Sequence, residues 1–209
     1  KVSKMADETI CADTDTMARF IYEITRDWYN DPDQNGMFEI RCLGQDRHPV
    51  IQRFALHGID EAVDLAVRMN DKRLNIYMTI NPISNNAVAK AATDADIIRA
   101  HYSFADADDP PGLNGLTKLI DIIQPHITVT TGTTPHQRCH AYWRVSEPCF
   151  DLNLWKKKQK QIAEHCNTDR SVQNPSRIMR VAGTVSYPDA GKAAKGYVSE
   201  LVTMKIRAD

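Results

Sequence analysis

Two aspartates separated by one residue are the first side chains in this sequence that suggest chemistry. They follow the run AHYSFA, Ala100 to Ala105, whose period-2 alternation is typical of a β-strand. The same period sends the side chains of Asp106 and Asp108 to one face of that strand. Two carboxylates this close raise each other's pKa unless a cation lies between them. Such oxygen ligands suit Mg²⁺ or Mn²⁺, which commonly bind one or two carboxylates together with substrate phosphates.

The same stretch also has a purely structural explanation. Acidic residues often end strands, and residues 109–112 read DPPG, which is typical of a turn. The aspartate pair by itself therefore leaves a metal site and an ordinary strand end both open.

A second polar group lies at the start of a later predicted strand. His136, Arg138 and His140 are spaced by two, so an extended backbone directs all three side chains to one face. Arginine offers a planar fork that matches phosphate, and histidine donates from a ring nitrogen, so this row suits an oxyanion. An exposed, partly solvated strand edge is the alternative.

A third group lies in TDRSVQNPSRIMRVAGTVSYP, residues 168–188. Asp169 follows the predicted end of a helix, where a lone aspartate is usually a capping or loop residue. Arg177 and Arg180 lie three apart on a predicted strand, so only one of them is expected to face a site. Lys192, in DAGKAAKG, is a candidate phosphate contact or simply a mobile loop lysine.

Composition places the chain among ordinary globular proteins, with 209 residues, 42% hydrophobic and 25% charged. No apolar run approaches the ~18 residues that a membrane span needs, and no secretion signal is visible. The five cysteines include no C-x-x-C pair, which disfavours a disulfide framework or a structural zinc. The sequence therefore predicts a protein of a reducing cytoplasm without a membrane partner.

The formal net charge of −1 limits how the chain can bind nucleic acid. Proteins that grip DNA by its phosphates usually carry a basic excess. Any binding to nucleic acid is thus expected to be weak, to use a local patch, or to need sequence outside this chain.

Helical and strand patterns interleave and predict an α+β or α/β fold with a central sheet. No repeat or long linker interrupts them, so we expect one unit over residues 1–209, with residues 1–90 as a partly separate lobe in the alternative arrangement. Apolar spacing predicts helices over 14–28, 58–69, 94–99, 113–123 and 154–165. Strands are predicted over 37–43, 74–80, 100–105, 127–131, 138–145, 176–185 and 196–204.

In this order the three polar groups resemble the archaeo-eukaryotic primase superfamily, and more closely the primase–polymerase domains of phage and plasmid replication proteins. Those domains have a D-x-D at a strand end, a histidine on a strand, and a single aspartate ahead of a stretch like NPSRIMRVAGT. These motifs map onto Asp106 and Asp108, onto His140 in HAYW, and onto Asp169. The likeness covers roughly residues 37–205.

The histidine motif departs from the family pattern. Many relatives have a Ser-Gly-rich turn before the histidine, whereas this chain has TPHQRCH. Both His136 and His140 are therefore candidates for the family role, and the H-x-Y-W pattern favours His140.

The resemblance implies an RRM-like mixed sheet with a flanking α/β lobe, and synthesis of DNA or a primer from NTPs or dNTPs on a single-stranded DNA template. It implies a protein encoded by a phage or plasmid in a prokaryotic host, with a helicase or other replication segments beyond this chain. It further implies that Asp106, Asp108 and Asp169 hold one or two Mg²⁺ or Mn²⁺ ions. The implied triphosphate contacts are His140, Arg138 and His136, with one of Arg177 and Arg180, and Lys192.

Two other functions remain open from the sequence. A rolling-circle nickase uses a His-hydrophobic-His metal pair and a tyrosine nucleophile, but Gln137 and Arg138 lie between the histidines here. A non-catalytic RRM-like domain would bind nucleic acid through exposed aromatic residues, and aromatics make up only 7% of the chain without a recognisable surface pattern.

Overall fold

Two antiparallel four-stranded sheets form the framework of the protein. The computed structural model describes residues 10–28, 36–45 and 47–208. One sheet has the order β2–β1–β3–β7 and the other β10–β5–β6–β4, with a short pair β8–β9 beside them. The strands are β1 (Met37–Leu43), β2 (Val50–Ala55), β3 (Asn75–Thr79), β4 (Ala100–Ala107), β5 (Ile127–Gly132), β6 (Arg138–Cys149), β7 (Ile178–Arg180), β8 (Val185–Ser186), β9 (Glu200–Leu201) and β10 (Thr203–Ile206). The helices are α1 (Thr14–Thr25), α2 (Ile59–Asn70), α3 (Pro110–Ile122), α4 (Leu152–Cys166) and the short α5 (Ala190–Ala193).

Strand β4 has large side chains on one face and small ones on the other, and each face packs in a different apolar cluster. Tyr102 and Phe104 enter the main core, where they pack with residues of both sheets, α1 and α2. Ala105 and Ala107 face the other way and belong to a smaller cluster with residues of α3 and β6. Small side chains on this face allow the helices to approach the sheet closely, so β4 is buried on both sides.

Helices α3 and α4 begin and end at residues suited to those positions. The Asp109 side chain accepts a hydrogen bond from the Gly112 backbone N–H at 2.7 Å, and two prolines follow it in the first turn. Asp151 caps α4 in the same way, and Asn167 ends that helix in the left-handed conformation. The cap at Asp109 turns the chain away at the end of β4, directly after the aspartate pair.

The predicted α+β class is confirmed, and every strand pair among the described residues is antiparallel. Strand β2 was not predicted, because it is an edge strand with Gln52 and Arg53 in its middle and little burial. The predicted helix over 94–99 is only a 3₁₀ turn, Asp94–Asp96. None of the helices in the part of the chain described here is long and apolar enough to cross a membrane.

The single strand predicted over 176–185 is wrong, because the chain bends there. It forms β7 and β8 with Gly183 between them at φ 84°, a backbone conformation that only glycine adopts readily. The predicted strand over 196–204 is likewise reduced to β9 and β10.

A separate lobe over residues 1–90 stays a prediction. Residues 1–9, 29–35 and 46 of that stretch lie outside the described residues. The main apolar cluster joins residues on both sides of residue 90, including Phe38 and Tyr142.

Replacing Gly183 with alanine is expected to lower the free energy of unfolding by more than ~2 kcal/mol. A Cβ there would meet the Asp13 carbonyl oxygen and would lie 2.7 Å from the Met17 backbone nitrogen. The left-handed φ adds a steric cost of its own. Urea unfolding followed by circular dichroism measures the change.

Gly191→Ala is the matched control. Gly191 lies within α5, where the nearest atom to an added Cβ is Asp189 Oδ1 at 3.3 Å. We expect its free energy of unfolding to stay within about 0.5 kcal/mol of wild type. Equal stability of the two variants would contradict the role assigned to Gly183.

Candidate active site

A cavity of about 250 Å³ opens where the end of β4 and the start of β6 face β3 and β7. Its wall brings together residues more than 100 positions apart in the sequence, such as Tyr77 and Arg180. Most of the candidate residues line it: Asp106, Asp108, Arg138, His140, Arg177, Arg180 and Lys192.

Asp106 is the buried acidic group of this cavity. It is 8% exposed and lies opposite His140 in the β4–β6 register. Burial, followed by the negative charges of Asp108 and Asp169, raises the pKa of Asp106 to about 7. Among the described residues its Oδ1 atom has no hydrogen-bond donor. A buried carboxylate oxygen in this condition is costly unless a cation or a proton reaches it, so the position fits a cation.

His140 is a neutral neighbour of that carboxylate. Burial, with the positive charges of Arg180 and Arg177, lowers the pKa of His140 to about 3. The 3.5 Å approach of its Nε2 to Asp106 Oδ1 is therefore no ion pair at neutral pH. The Tyr142 hydroxyl lies 3.1 Å from Nδ1 and fixes the orientation of the ring. Tyr142 therefore belongs both to the main core and to the support of this histidine.

Arg138 is held at the cavity by contacts on several sides. Its Nη2 donates to Glu200 Oε2 at 3.0 Å and its Nη1 to the Thr134 carbonyl at 2.7 Å. The guanidinium carbon lies 4.5 Å from the centre of the Tyr197 ring. Gly132 lies directly beneath, because a Cβ at that position would collide with both the guanidinium and the Glu200 carboxylate.

Glu200 also anchors the loop that leads into β6. It accepts hydrogen bonds from the backbone N–H and the hydroxyl of Thr133, at 2.7 and 2.6 Å. Burial opposes the charged form, but the bonds from Thr133 and Thr134 and the charge of Arg138 together lower the pKa of Glu200. The carboxylate therefore stays ionised beside Arg138 at neutral pH.

Arg177 and Arg180 both line the cavity, so the prediction that only one could face it is wrong. The alternation rule fails because β7 begins at Ile178, which leaves Arg177 off the strand. Arg180 donates to Asn75 Oδ1 at 2.7 Å and to the Tyr77 hydroxyl at 2.8 Å, with its guanidinium 4.8 Å from the Tyr77 ring centre.

Asp169 reaches the site through its backbone. Its N–H donates to the Asp106 carbonyl at 3.2 Å, so the chain after α4 is bonded directly to β4. Its carboxylate accepts two hydrogen bonds from Ser171, both 2.8 Å, and lies 3.5 Å from Arg177 Nη2. Within residues 10–28, 36–45 and 47–208, no three Asp, Glu, His or Cys side chains already converge as metal ligands. The role of Asp169 as a third ligand stays a prediction.

The two remaining candidates lie around Tyr197. His136 precedes β6, with its Nε2 2.8 Å from the Asp108 carbonyl oxygen and its ring edge-on to Tyr197. Lys192 lies in α5 with its Nζ 5.8 Å from the centre of the same ring. Their roles as triphosphate contacts stay predictions.

Several residues of the site escaped the motif analysis. Asn75 was noted only as part of a strand, yet its side chain bonds both Arg180 and the backbone of Tyr187. Tyr197 and Glu200 hold Arg138, and the sequence placed both of them only within the strand predicted over 196–204. A strand pattern does not identify the partner of a side chain.

Asn75→Ala is expected to lower the free energy of unfolding by about 1–3 kcal/mol. The change leaves Arg180 Nη1 and the Tyr187 N–H, now 2.7 and 2.8 Å from Asn75 Oδ1, without that acceptor. Asn86→Ala, at an exposed site, serves as the control and should stay near wild type. Thermal unfolding of the three proteins measures the difference, and identical transitions would show that Asn75 is dispensable to the fold.

Comparisons with known proteins identify the fold. No protein family and no curated sequence matches the chain. Among solved structures, the AEP domain of the cyanophage S-2L primase–polymerase superposes with a TM-score of 0.63 at 19% identity, over 94% of this chain and 91% of that one. Primase RepB′ superposes with a TM-score of 0.58 at 12% identity, over 90% of this chain and 56% of RepB′. The catalytic domain of RepB′ in complex with initiator DNA gives 0.54 at 12% identity, over 90% and 82%. The chain therefore has the fold of the archaeo-eukaryotic primase–polymerase catalytic domain.

Proposed function

We propose that this protein is a template-directed primase–polymerase that transfers nucleotides from NTPs or dNTPs to a growing strand. One observation carries the proposal: a cavity lined by Asp106 and Asp108 faces Arg138, Arg177 and Arg180. The Oδ1 atom of Asp106 is buried there without a hydrogen-bond donor among the described residues. Carboxylates for a divalent cation and guanidinium groups for phosphate are the two requirements of nucleotidyl transfer. The shared fold supports the proposal, and the RepB′ complex with initiator DNA supports DNA as the template.

Each side chain of the cavity would have a separate task. Arg138 and Arg180 offer donors to the triphosphate, and each lies against a tyrosine ring. Arg180 is held by the neutral groups of Asn75 and Tyr77, whereas Arg138 also pairs with Glu200. His140 is neutral and held by Tyr142, so it would donate a hydrogen bond without adding charge. Arg177 would bind phosphate after releasing Asp169.

Asp106 and Asp108 would hold Mg²⁺ or Mn²⁺, with Asp169 joining them if its carboxylate leaves Ser171. Asp106 fits this role because its Oδ1 is buried without a hydrogen-bond donor among the described residues. When bound, the ion would supply positive charge to the triphosphate and lower the pKa of an attacking hydroxyl. A helicase segment beyond residue 209 also stays a prediction.

Asp106→Asn and Asp108→Asn are each expected to reduce nucleotide incorporation at least ~10³-fold, since each removes a charge from the cation site. The assay supplies single-stranded template, with and without a primer, Mg²⁺ or Mn²⁺, and each nucleotide class in turn. Asp121→Asn, on the exposed face of α3, loses the same charge elsewhere and should remain active. Incorporation that persists in Asp106→Asn would rule out the proposed mechanism, and its absence from wild type would indicate a binding domain.

Divalent cations are expected to stabilise the wild-type protein by about 1–3 kcal/mol at saturating concentration. Asp106→Asn should lose this increase and should be the more stable protein without metal, because burial of an unpaired charge is costly. Thermal unfolding with EDTA, Mg²⁺ or Mn²⁺ measures both effects without requiring activity. An equal increase in Asp106→Asn and Asp121→Asn would place the cation elsewhere.

A further inference from the structure

A second cavity of about 410 Å³ adjoins the first and is lined by cations. Arg47, Lys72 and Arg73 contribute to its wall, and all three are exposed. None of them forms an ion pair with another described residue. Among the described residues that line this cavity, the acidic one is Asp189, whose Oδ1 accepts a hydrogen bond from the Lys192 backbone N–H at 2.7 Å. The second cavity is therefore net positive in a chain of almost balanced charge.

The two cavities share part of their wall. Asn75, Tyr187, Pro188 and Asp189 line both of them. Asn75 links a residue of the shared wall to an arginine of the catalytic cavity. Its side-chain amide forms hydrogen bonds with both the N–H and the C=O of Tyr187 and also accepts one from Arg180. A ligand that follows this wall would contact residues of both cavities.

Arg73 keeps a costly backbone conformation at this position. It lies just after α2 with φ 63°, where glycine or asparagine is usual. Its guanidinium carbon lies 5.0 Å from the centre of the Tyr187 ring, so the side chain is held over the shared wall. Backbone strain at a residue whose side chain packs on Tyr187 and keeps its charge exposed favours a role for that charge.

We propose that this second cavity binds the phosphate backbone of a single-stranded nucleic acid, and that the strand runs along the shared wall into the catalytic cavity. The assignment of the strand as template rests on the proposed function. Three exposed cations spread along a cavity suit successive phosphates of a chain better than one compact anion. The Tyr187 ring, already covered by Arg73, provides an aromatic surface beside the path.

The test measures binding rather than synthesis. A labelled single-stranded oligothymidine is titrated at low ionic strength, without metal or nucleotide, against wild type and the triple variant Arg47→Gln, Lys72→Gln, Arg73→Gly. We expect affinity to fall at least about fivefold and the salt dependence of log K to weaken by about 2, roughly 0.7 per lost phosphate contact on a single strand. The control triple variant Lys118→Gln, Lys157→Gln, Lys158→Gln removes the same charge from exposed helix faces and should bind like wild type.

The single variant Arg73→Gly distinguishes the effect of charge on binding from an effect on folding. Glycine suits φ 63°, so this variant should unfold at or above the wild-type temperature while its affinity for the strand falls. The proposal would be overturned if the two triple variants bound the oligothymidine with affinities within about twofold of each other. It would also be overturned if the cavity triple variant bound a nucleoside triphosphate more weakly than wild type but bound the oligothymidine equally well. Failure of wild type to incorporate nucleotide would instead end the proposed function and leave this binding result intact.

Discussion

The site depends on keeping the buried carboxylate of Asp106 close to arginines that do not pair with it. At short range inside a protein, a carboxylate and a guanidinium attract strongly. Without other partners, the arginines of the cavity would therefore form ion pairs with its carboxylates. Here each arginine is already engaged: Arg138 by Glu200, Arg180 by Asn75 and Tyr77, and Arg177 by Asp169. Asp106 consequently remains buried without an arginine partner, and its pKa is raised to about 7 by burial and by the neighbouring carboxylates. The same bonds that orient the cations therefore keep the acidic side of the cavity available.

The fold creates this arrangement through register and through one backbone contact. Pairing of β4 with β6 sets Asp106 opposite His140, and the large residues behind them, Phe104 and Tyr142, form a rigid floor. The chain then returns after α4, where the Asp169 N–H bonds the Asp106 carbonyl. A slip of one residue in the pairing of β4 would turn Asp106 toward α3 and bring an alanine to the cavity. The alternation of large and small side chains along β4 opposes such a slip and so keeps Asp106 in the cavity.

The sequence predicted the fold class, the central strand and most of the charged residues that line the cavity, because local periodicity and motif order carry that information. It could not predict how the arginines are held. The partners of Arg138 and Arg180 lie 62 and more than 100 residues away, at Glu200 and Asn75, and nothing local to those positions indicates the pairing. The error over Arg177 had a different origin, since the predicted strand included this residue although β7 begins one residue later. The strand boundaries near Gly183 were predicted wrongly, because the left-handed φ of Gly183, and not the apolar pattern, determines where the chain bends.

A chain with a net charge of −1 can still bind polyanions if its cationic side chains are concentrated at the binding surface. Tyr197, Tyr77 and Tyr187 stack against Arg138, Arg180 and Arg73 respectively, at 4.5 to 5.0 Å. A ring face restrains a guanidinium without neutralising it. This holds for Arg180 and Arg73, whereas Arg138 pairs with Glu200 as well. Asn75 joins two of these stacks, since it bonds Arg180 directly and holds the backbone of Tyr187. The catalytic cavity and the second cavity are in this sense one electrostatic surface, and a local field of this kind requires no basic excess in the chain as a whole.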